Sequence, residues 1–214
     1  MATTWTSAFG RACGVLLDTI VRWLALARIN PNFLTFLGLV VNIVAAFLFG
    51  YANVDSQARM FRYAGLVIIG SGFFDLVDGR VARASNRVSR FGAFFDSVVD
   101  RYSDTSQLLG LLVFYARGDR FFYVILVAVT MISTIMVSYT RARAESLIGS
   151  CKVGFMERPE RLVLVIIGAL FNRMAPVLWV IATLSTITVI HRIQYTWYRT
   201  RLMEANPTQS GQAA

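Results

Sequence analysis

The 214-residue chain is long enough for one domain with a sizeable core, and 56% of its residues are hydrophobic while only 15% are charged. This composition argues against an ordinary soluble domain and indicates an integral membrane protein. The formal net charge of +9 does not indicate nucleic-acid binding, because the charges fall between apolar stretches, as in the loops of a membrane protein. We therefore expect membrane lipids, and no nucleic acid, among its partners.

The first apolar segment, residues 5–28, has its apolar side chains at roughly helical spacing. Arg11, Arg22 and Arg28 interrupt it. This pattern predicts an amphipathic interfacial helix that lies on the membrane surface. A helix of the soluble type, packed against the membrane spans, would show the same pattern.

Six further segments are predicted to be transmembrane helices, which makes the chain an all-α, multi-pass integral membrane protein. The first of them follows the helix-starting sequence Asn30-Pro31-Asn32. We expect a single membrane domain over residues 1–203 and a disordered tail at 204–214. The predicted spans cover about residues 33–51, 63–84, 91–116, 121–140, 160–172 and 174–192.

The positive charges are distributed unequally between the two sets of loops. One set, which includes both ends of the chain and the 80–90 loop, carries fifteen lysine and arginine residues, and the opposite set carries five. Because positive loops stay in the cytoplasm, we expect a cell-membrane protein with both termini and the 80–90 loop on the cytoplasmic side.

Four carboxylates stand in apolar sequence next to that loop. Asp75 and Asp78 are three residues apart on one predicted helix, and Asp96 and Asp100 are four apart on the next, so each pair shares a helix face. A short loop makes the two helices antiparallel neighbours, which brings the four groups together at the cytoplasmic end. Oxygen ligands of this kind suit magnesium or manganese, and bridging carboxylates suit two ions.

Carboxylates in apolar sequence also occur in proteins that bind no metal. A structural network of ion pairs with arginine would compensate their buried charge. An ion-coupled transporter carries intramembrane carboxylates as well, although these lie toward one end of the helices rather than at the midplane. A di-iron bundle would need Glu-x-x-His motifs, and the only histidine is His191.

The carboxylates also belong to a longer pattern that resembles the signature of the CDP-alcohol phosphatidyltransferase family. Each fixed position of that signature is matched here by Asp75-x2-Asp78-Gly79-x2-Ala82-Arg83-x8-Gly92-x3-Asp96-x3-Asp100. The resemblance implies a membrane enzyme of phospholipid biosynthesis. Such an enzyme transfers the phosphatidyl group of CDP-diacylglycerol to an alcohol and releases CMP, and members of the family commonly form homodimers.

The resemblance also assigns roles to residues. Asp75, Asp78 and Asp96 would be ligands of two magnesium ions, and manganese could replace magnesium. Asp100 would be a ligand and the general base that takes the proton of the acceptor hydroxyl. The CDP-lipid would be bound by Asn32, Thr35, Gly79, Arg83 and Ser89.

The acceptor alcohol is indicated by a second segment. Residues 139–146 read Tyr-Thr-Arg-Ala-Arg-Ala-Glu-Ser and residues 157–161 read Glu-Arg-Pro-Glu-Arg. These are similar to segments of the inositol-phosphate-using members of the family, the phosphatidylinositol-phosphate synthases. The implied acceptor is a phosphorylated polyol, inositol 1-phosphate, and the implied phosphate pocket consists of Arg141, Arg158, Arg161 and Arg192.

Two alternatives compete with that assignment. The arginines could simply anchor the cytoplasmic side and bind lipid phosphates, although interspersed acids such as Glu157 and Glu160 would then add little. Glutamates of this kind can orient arginines instead. Glycerol 3-phosphate is the competing acceptor, because it needs a basic pocket too. Asp104, one turn beyond Asp100, is expected to pair with Arg101 or to hydrogen-bond within the bundle.

Overall fold

The computed structural model describes residues 30–84 and 89–205. The predicted interfacial helix at 5–28 and residues 206–214 of the predicted tail lie outside the described residues. The side chains of Asp78, Ala82 and Ala84 also lie outside them, although the backbone at these three positions is helical.

The described residues form six α-helices and no strand, so the all-helical prediction is confirmed. Each predicted span coincides with one of the helices, but the bounds differ at several ends. The helices are α1 (Pro31–Tyr51), α2 (Gln57–Ala84), α3 (Arg90–Arg117), α4 (Phe121–Ile148), α5 (Arg158–Leu170) and α6 (Met174–Ala205).

The largest difference lies in α6, which continues to Ala205 and therefore includes the first two residues of the predicted tail. Hydropathy falls after residue 192, but a fall in hydropathy does not end a helix. The residue before a proline is disfavoured in a helix, and that signal comes only at Asn206, before Pro207. The prediction at this end followed the apolar character of a span and not the signals that stop a helix.

Two helices near the carboxylates begin at polar caps. Asn30 precedes α1, and its side chain accepts a hydrogen bond from the backbone N–H of Asn32 at 3.1 Å. Ser89 precedes α3, and its hydroxyl accepts from the N–H of Gly92 at 2.9 Å. Such caps satisfy N–H groups that have no partner within the helix, and they determine where each helix starts.

The apolar core lies at the end of the bundle away from the carboxylates. Helix α1 packs mainly against α2 and α3, and α4 packs against α6. Phe61 of α2 makes edge-to-face ring contacts with Phe49 of α1 and Phe114 of α3, at centroid distances of 5.0 Å and 4.9 Å. All three rings are buried, so aromatic packing holds these helices in register.

A buried polar cluster joins the same three helices between the aromatic core and the carboxylates. Gln107 of α3 donates to the side-chain oxygen of Asn42 of α1 at 2.6 Å, and Asn42 donates to the hydroxyl of Ser71 of α2. Asn42 also donates to the carbonyl of Gly38 at 3.0 Å. A satisfied network of this kind specifies one arrangement of the helices, and so it positions the segments that carry Asp75 and Asp100.

Four of the described helices are long and apolar enough to cross a membrane, namely α1, α2 up to Val81, α4 and α6. Helix α3 is long enough but carries the charged stretch. Helix α5 has 13 residues, about 20 Å at 1.5 Å per residue, which is shorter than the roughly 30 Å of a hydrocarbon core. The chain is a membrane protein, and a total of six spans stays a prediction.

Gly110 allows α3 to approach α1 closely. A Cβ added at Gly110 would overlap the backbone carbonyl of Ala46, and backbone atoms cannot rotate away as a side chain can. We expect Gly110→Ala to destabilise the protein by about 1–3 kcal/mol through overpacking. Thermal unfolding in detergent should show this as a lower Tm.

Gly70→Ala is the matched control, because a Cβ at Gly70 meets no atom within 4 Å and alanine favours the helix. It should leave the Tm at or above the wild-type value. Equal Tm values for Gly110→Ala and the wild type would show that the approach of α1 and α3 is looser than described.

Candidate active site

The site is built on α2, α3 and the start of α5. Asp75 lies in α2, and Asp96 and Asp100 lie one turn apart near the start of α3. Arg158 reaches between the two helices, where its Nη1 contacts Asp75 Oδ2 at 2.8 Å and Asp100 Oδ1 at 3.0 Å. One donor atom thus contacts carboxylates from two helices, so Asp75 and Asp100 lie close together, as the sequence predicts.

Helix α1 forms a further wall of this site. A Cβ added at Gly38 would lie 3.3 Å from Asp75 Oδ1, so the missing side chain at Gly38 leaves room for the carboxylate. The sequence shows Gly38 as one of several glycines in apolar stretches, and no local signal distinguishes it. Only the packing of α1 against α2 reveals its role.

The structure describes the side chains of three of the four predicted metal ligands and only the backbone of the fourth, Asp78. Asp75 and Asp100 come together, and the Asp96 side chain is half-buried one turn before Asp100. The backbone of Asp78 follows Asp75 by three residues on α2. Among the described side chains, no three acidic, histidine or cysteine groups are close enough to hold an ion.

The donor set nevertheless fits a hard divalent cation. Its groups are carboxylates, which suit magnesium and manganese. Asp75 and Asp100 already share a positively charged partner in the guanidinium of Arg158. The two carboxylates therefore direct negative charge toward one point, where a cation can be bound.

Arg158 precedes the predicted span at 160–172 and carries a firmly held charge. Burial opposes that charge, but the carboxylates of Asp100, Asp104 and Asp75 outweigh the effect and raise the pKa of the guanidinium above its ordinary value. Arg158 therefore supplies positive charge to the site at any physiological pH.

Asp104 joins α3 to α5 rather than pairing along its own helix. Arg161 donates through Nη2 to Asp104 Oδ2 at 2.9 Å, and Arg158 Nε lies 3.5 Å from Asp104 Oδ1. Of the two expected arrangements, a hydrogen bond within the bundle is the one found, and Arg101 donates to the backbone carbonyl of Ser97 rather than to Asp104. The preferred partner is 57 residues away in sequence, so local spacing could not identify it.

A cavity of about 320 Å³ opens beside Asp100 between α3, α4, α5 and α6. Five arginines and three carboxylates line it, which leaves a net formal charge of +2. All four arginines of the predicted phosphate pocket are among them. The charged lining residues are Asp100, Arg101, Asp104, Arg141, Glu157, Arg158, Arg161 and Arg192.

Glu157 binds two of these arginines. Its Oε1 accepts from Arg141 Nη1 at 2.9 Å and from Arg192 Nη2 at 3.2 Å. Arg192 is 1% exposed and also donates to the carbonyls of Val153 and Val137. Glu160, in contrast, is exposed. Of the two glutamates considered in the sequence, Glu157 is the one placed to orient arginines.

The residues predicted to bind the CDP-lipid fall into two groups. At the starts of α1 and α3, a Cβ added at Gly92 would lie 3.1 Å from the hydroxyl of Ser89 and 3.4 Å from Asn32 Oδ1, so these residues are neighbours. Thr35, one turn into α1, is buried and donates to the Pro31 carbonyl at 3.2 Å.

The second group lies near the end of α2. A Cβ added at Gly79 would lie 3.7 Å from Arg83 Nη1, so the guanidinium folds back along the helix over the glycine. Arg83 is exposed, which leaves its charge accessible from the cytoplasmic end of the bundle.

Comparison with known proteins gives a consistent result. The sequence profile of the CDP-alcohol phosphatidyltransferase family matches residues 28–194. The archaetidylinositol phosphate synthase of Pyrococcus horikoshii is 37% identical over 179 residues, which cover 83% of this chain and 88% of that protein. The phosphatidylinositol phosphate synthase of Mycobacterium tuberculosis H37Rv is 33% identical over 189 residues, which cover 83% of this chain and 84% of that protein.

Solved structures agree with the sequence matches. The crystal structure of the Mycobacterium tuberculosis phosphatidylinositol phosphate synthase with CDP-DAG bound has a TM-score of 0.76 at 30% identity, over 85% of this chain and 93% of that one. The same enzyme in complex with manganese and citrate has a TM-score of 0.73 at 29% identity, over 85% and 88% of the two chains.

Proposed function

This chain belongs to the CDP-alcohol phosphatidyltransferase family and is a phosphotransferase, and on that premise we propose that it joins the phosphatidyl group of CDP-diacylglycerol to inositol 1-phosphate and releases CMP. The arginine-lined cavity beside Asp100 carries the proposal of a phosphorylated acceptor. Its net charge of +2 complements a phosphomonoester, which carries about −1.5 to −2 at neutral pH. The similarity to archaetidylinositol and phosphatidylinositol phosphate synthases favours inositol 1-phosphate over glycerol 3-phosphate.

The placement of Asp100 supports a role as general base. Its carboxylate lines the cavity, so a hydroxyl of an acceptor held there by its phosphate would lie within reach. The acceptor oxygen forms a bond to the phosphorus that bears the lipid, and the P–O bond to CMP breaks. The acceptor proton passes to Asp100.

Asp75, Asp78, Asp96 and Asp100 would hold two divalent cations, magnesium or manganese. When bound, these ions supply positive charge that stabilises the pyrophosphate and the leaving group. The CDP-lipid would contact Asn32, Thr35, Ser89, Gly79 and Arg83 at the same end of the bundle. Its acyl chains would then stay in the bilayer while its head group reaches the polar site.

We further propose that this end faces the cytoplasm at the cell membrane, that residues 1–203 act as one membrane domain, and that the protein forms a homodimer. The bias of lysine and arginine toward the loops around the site supports the orientation, and family membership supports the domain and the dimer. Family membership also favours a phosphotransferase over an ion-coupled transporter.

The acceptor assignment predicts a selective reaction. Purified protein given CDP-diacylglycerol and magnesium should release CMP with inositol 1-phosphate as acceptor. It should release far less with glycerol 3-phosphate or with unphosphorylated inositol, which lacks the group that the arginines would bind. Turnover with glycerol 3-phosphate and none with inositol 1-phosphate would replace the acceptor but leave the reaction class in place.

A further inference from the structure

Glu157 links two arginines that reach the cavity from different helices. It is the residue that precedes α5, while Arg141 belongs to α4 and Arg192 to α6. A single oxygen, Glu157 Oε1, accepts from both guanidinium groups, at 2.9 Å and 3.2 Å. Two like charges that would repel each other are thereby held side by side at the cavity wall.

We propose that Glu157 is the positioning residue of the acceptor site: it sets the spacing of Arg141 and Arg192 so that together they bind the acceptor's phosphate. The inference rests on the proposed function, because it assumes that this cavity takes a phosphorylated acceptor. It assigns Glu157 no contact with the reacting atoms.

The other contacts of the two arginines show what Glu157 contributes. Arg192 is anchored independently by the carbonyls of Val153 and Val137. Arg141 has a second partner in Glu145, through Nε at 3.0 Å. Each arginine would therefore stay in its own helix environment without Glu157, and what would be lost is their spacing relative to each other.

Arg141 also keeps a group that can bind an anion. Its Nε and Nη1 are taken by the two glutamates, and no hydrogen bond among the described residues uses its Nη2. The side chain is 39% exposed, and it lines the cavity. A guanidinium whose position is set on one edge and whose other edge is accessible suits phosphate recognition, because little side-chain freedom is lost on binding.

Positioning and net charge predict opposite results for Glu157→Gln. The substitution keeps the size of the side chain but removes one of the three carboxylate charges that line the cavity, so the lining becomes more positive. If charge alone mattered, a phosphorylated acceptor would bind more tightly. If Glu157 positions the arginines, binding weakens although the site is more positive.

The experiment compares Glu157→Gln with Glu160→Gln in the full-length protein in detergent, with saturating magnesium. Glu160 lies in the first turn of α5 and is exposed, so the control makes the same charge change three residues away, at the start of the helix that Glu157 precedes. For Glu157→Gln, we expect the KM for inositol 1-phosphate to rise about tenfold while kcat and the KM for CDP-diacylglycerol change less than about twofold. The control should match the wild type in all three.

Inorganic phosphate serves as a probe that does not react. It should inhibit the wild type by competing with the acceptor, and its inhibition constant should rise about tenfold in Glu157→Gln. An unchanged or lower acceptor KM in Glu157→Gln would overturn the proposal. So would equal losses for both substrates together with a lower Tm, because those losses indicate a merely structural role.

Glu157→Asp keeps the inference testable if Glu157→Gln does not fold. Aspartate keeps the charge but withdraws the carboxylate by one methylene, so it cannot reach both arginines as Glu157 does. The acceptor KM should rise here too, and a wild-type value would contradict the bridging role.

The acceptor assignment and the positioning role of Glu157 are contradicted by different results of these assays. If the wild type does not use inositol 1-phosphate, the acceptor assignment fails, and the same variants are then assayed with the phosphorylated acceptor that the wild type does use. If the wild type uses inositol 1-phosphate and Glu157→Gln retains its KM, the function stands and the positioning role fails.

Discussion

We expect Asp100→Asn to abolish the release of CMP from CDP-diacylglycerol while the protein still folds. Asparagine has nearly the same shape as aspartate but cannot accept the acceptor proton, and it would also be a weaker ligand for the proposed metal ions. Loss of a general base alone costs about 10²–10⁴-fold, so kcat should fall at least that far. The measurement is CMP release by the purified variant, together with its Tm.

The structure explains why this variant should remain folded. Arg158 also contacts Asp75 at 2.8 Å and Asp104 at 3.5 Å, so its charge stays compensated when the charge of Asp100 is removed. The matched control is Asp119→Asn at the opposite end of the bundle. Asp119 is exposed with φ of 54°, a conformation that asparagine adopts readily.

Asp119→Asn should retain wild-type activity. If Asp100→Asn also retained near-normal activity, Asp100 could not be the base, and proton removal would have to be assigned to another group that lines the cavity.

Removing divalent metal should reduce transfer to background, and adding magnesium or manganese should restore it. Asp75, Asp78, Asp96 and Asp100 are oxygen donors without histidine or cysteine, which is the chemistry these ions prefer. The restored protein should bind about two manganese ions per chain, as a two-metal site requires. Manganese binding followed by electron paramagnetic resonance gives this number independently of activity.

The metal is removed with a chelator, and the control adds that chelator already saturated with magnesium. The control should leave activity unchanged. Asp75→Asn should lower the number or the affinity of the bound ions, because it removes one donor charge from the set. Full activity after chelation, with no manganese bound, would contradict the two-metal proposal.

Much of the carboxylate site could be predicted from the sequence, because the shared helix faces of its carboxylates depend on local spacing. Asp96 and Asp100 share a face of α3 since residues four apart always do so in a helix. The expectation that α2 and α3 pack directly on each other is not what brings the groups together, because both helices pack mainly against α1. Arg158 nevertheless contacts one carboxylate on each of them. The all-helical class followed from long apolar segments, which are insensitive to how the helices pack.

Predictions that depended on contacts distant in sequence were less successful. The sequence left open whether Asp104 pairs with Arg101 or bonds elsewhere in the bundle, and it could not name the partners, which are Arg161 and Arg158 of α5. The helix ends also differ where apolar character and helix-stopping signals diverge, as at the end of α6. Nothing in the local sequence indicates that Gly38 leaves room for the Asp75 carboxylate or that Gly110 lets the backbone of α1 approach α3.

The sequence by itself determined the class of protein, the helical segments, the signature of carboxylates and the set of arginines. These follow from residue type and from spacings of three or four residues, which helix geometry converts directly into shared faces. The tertiary structure alone decided which of those groups meet. Arg158 reaches Asp75 across 83 positions of sequence, and Glu157 reaches Arg192 across 35. Such pairings depend on how the helices pack, and no local pattern in the chain encodes that arrangement.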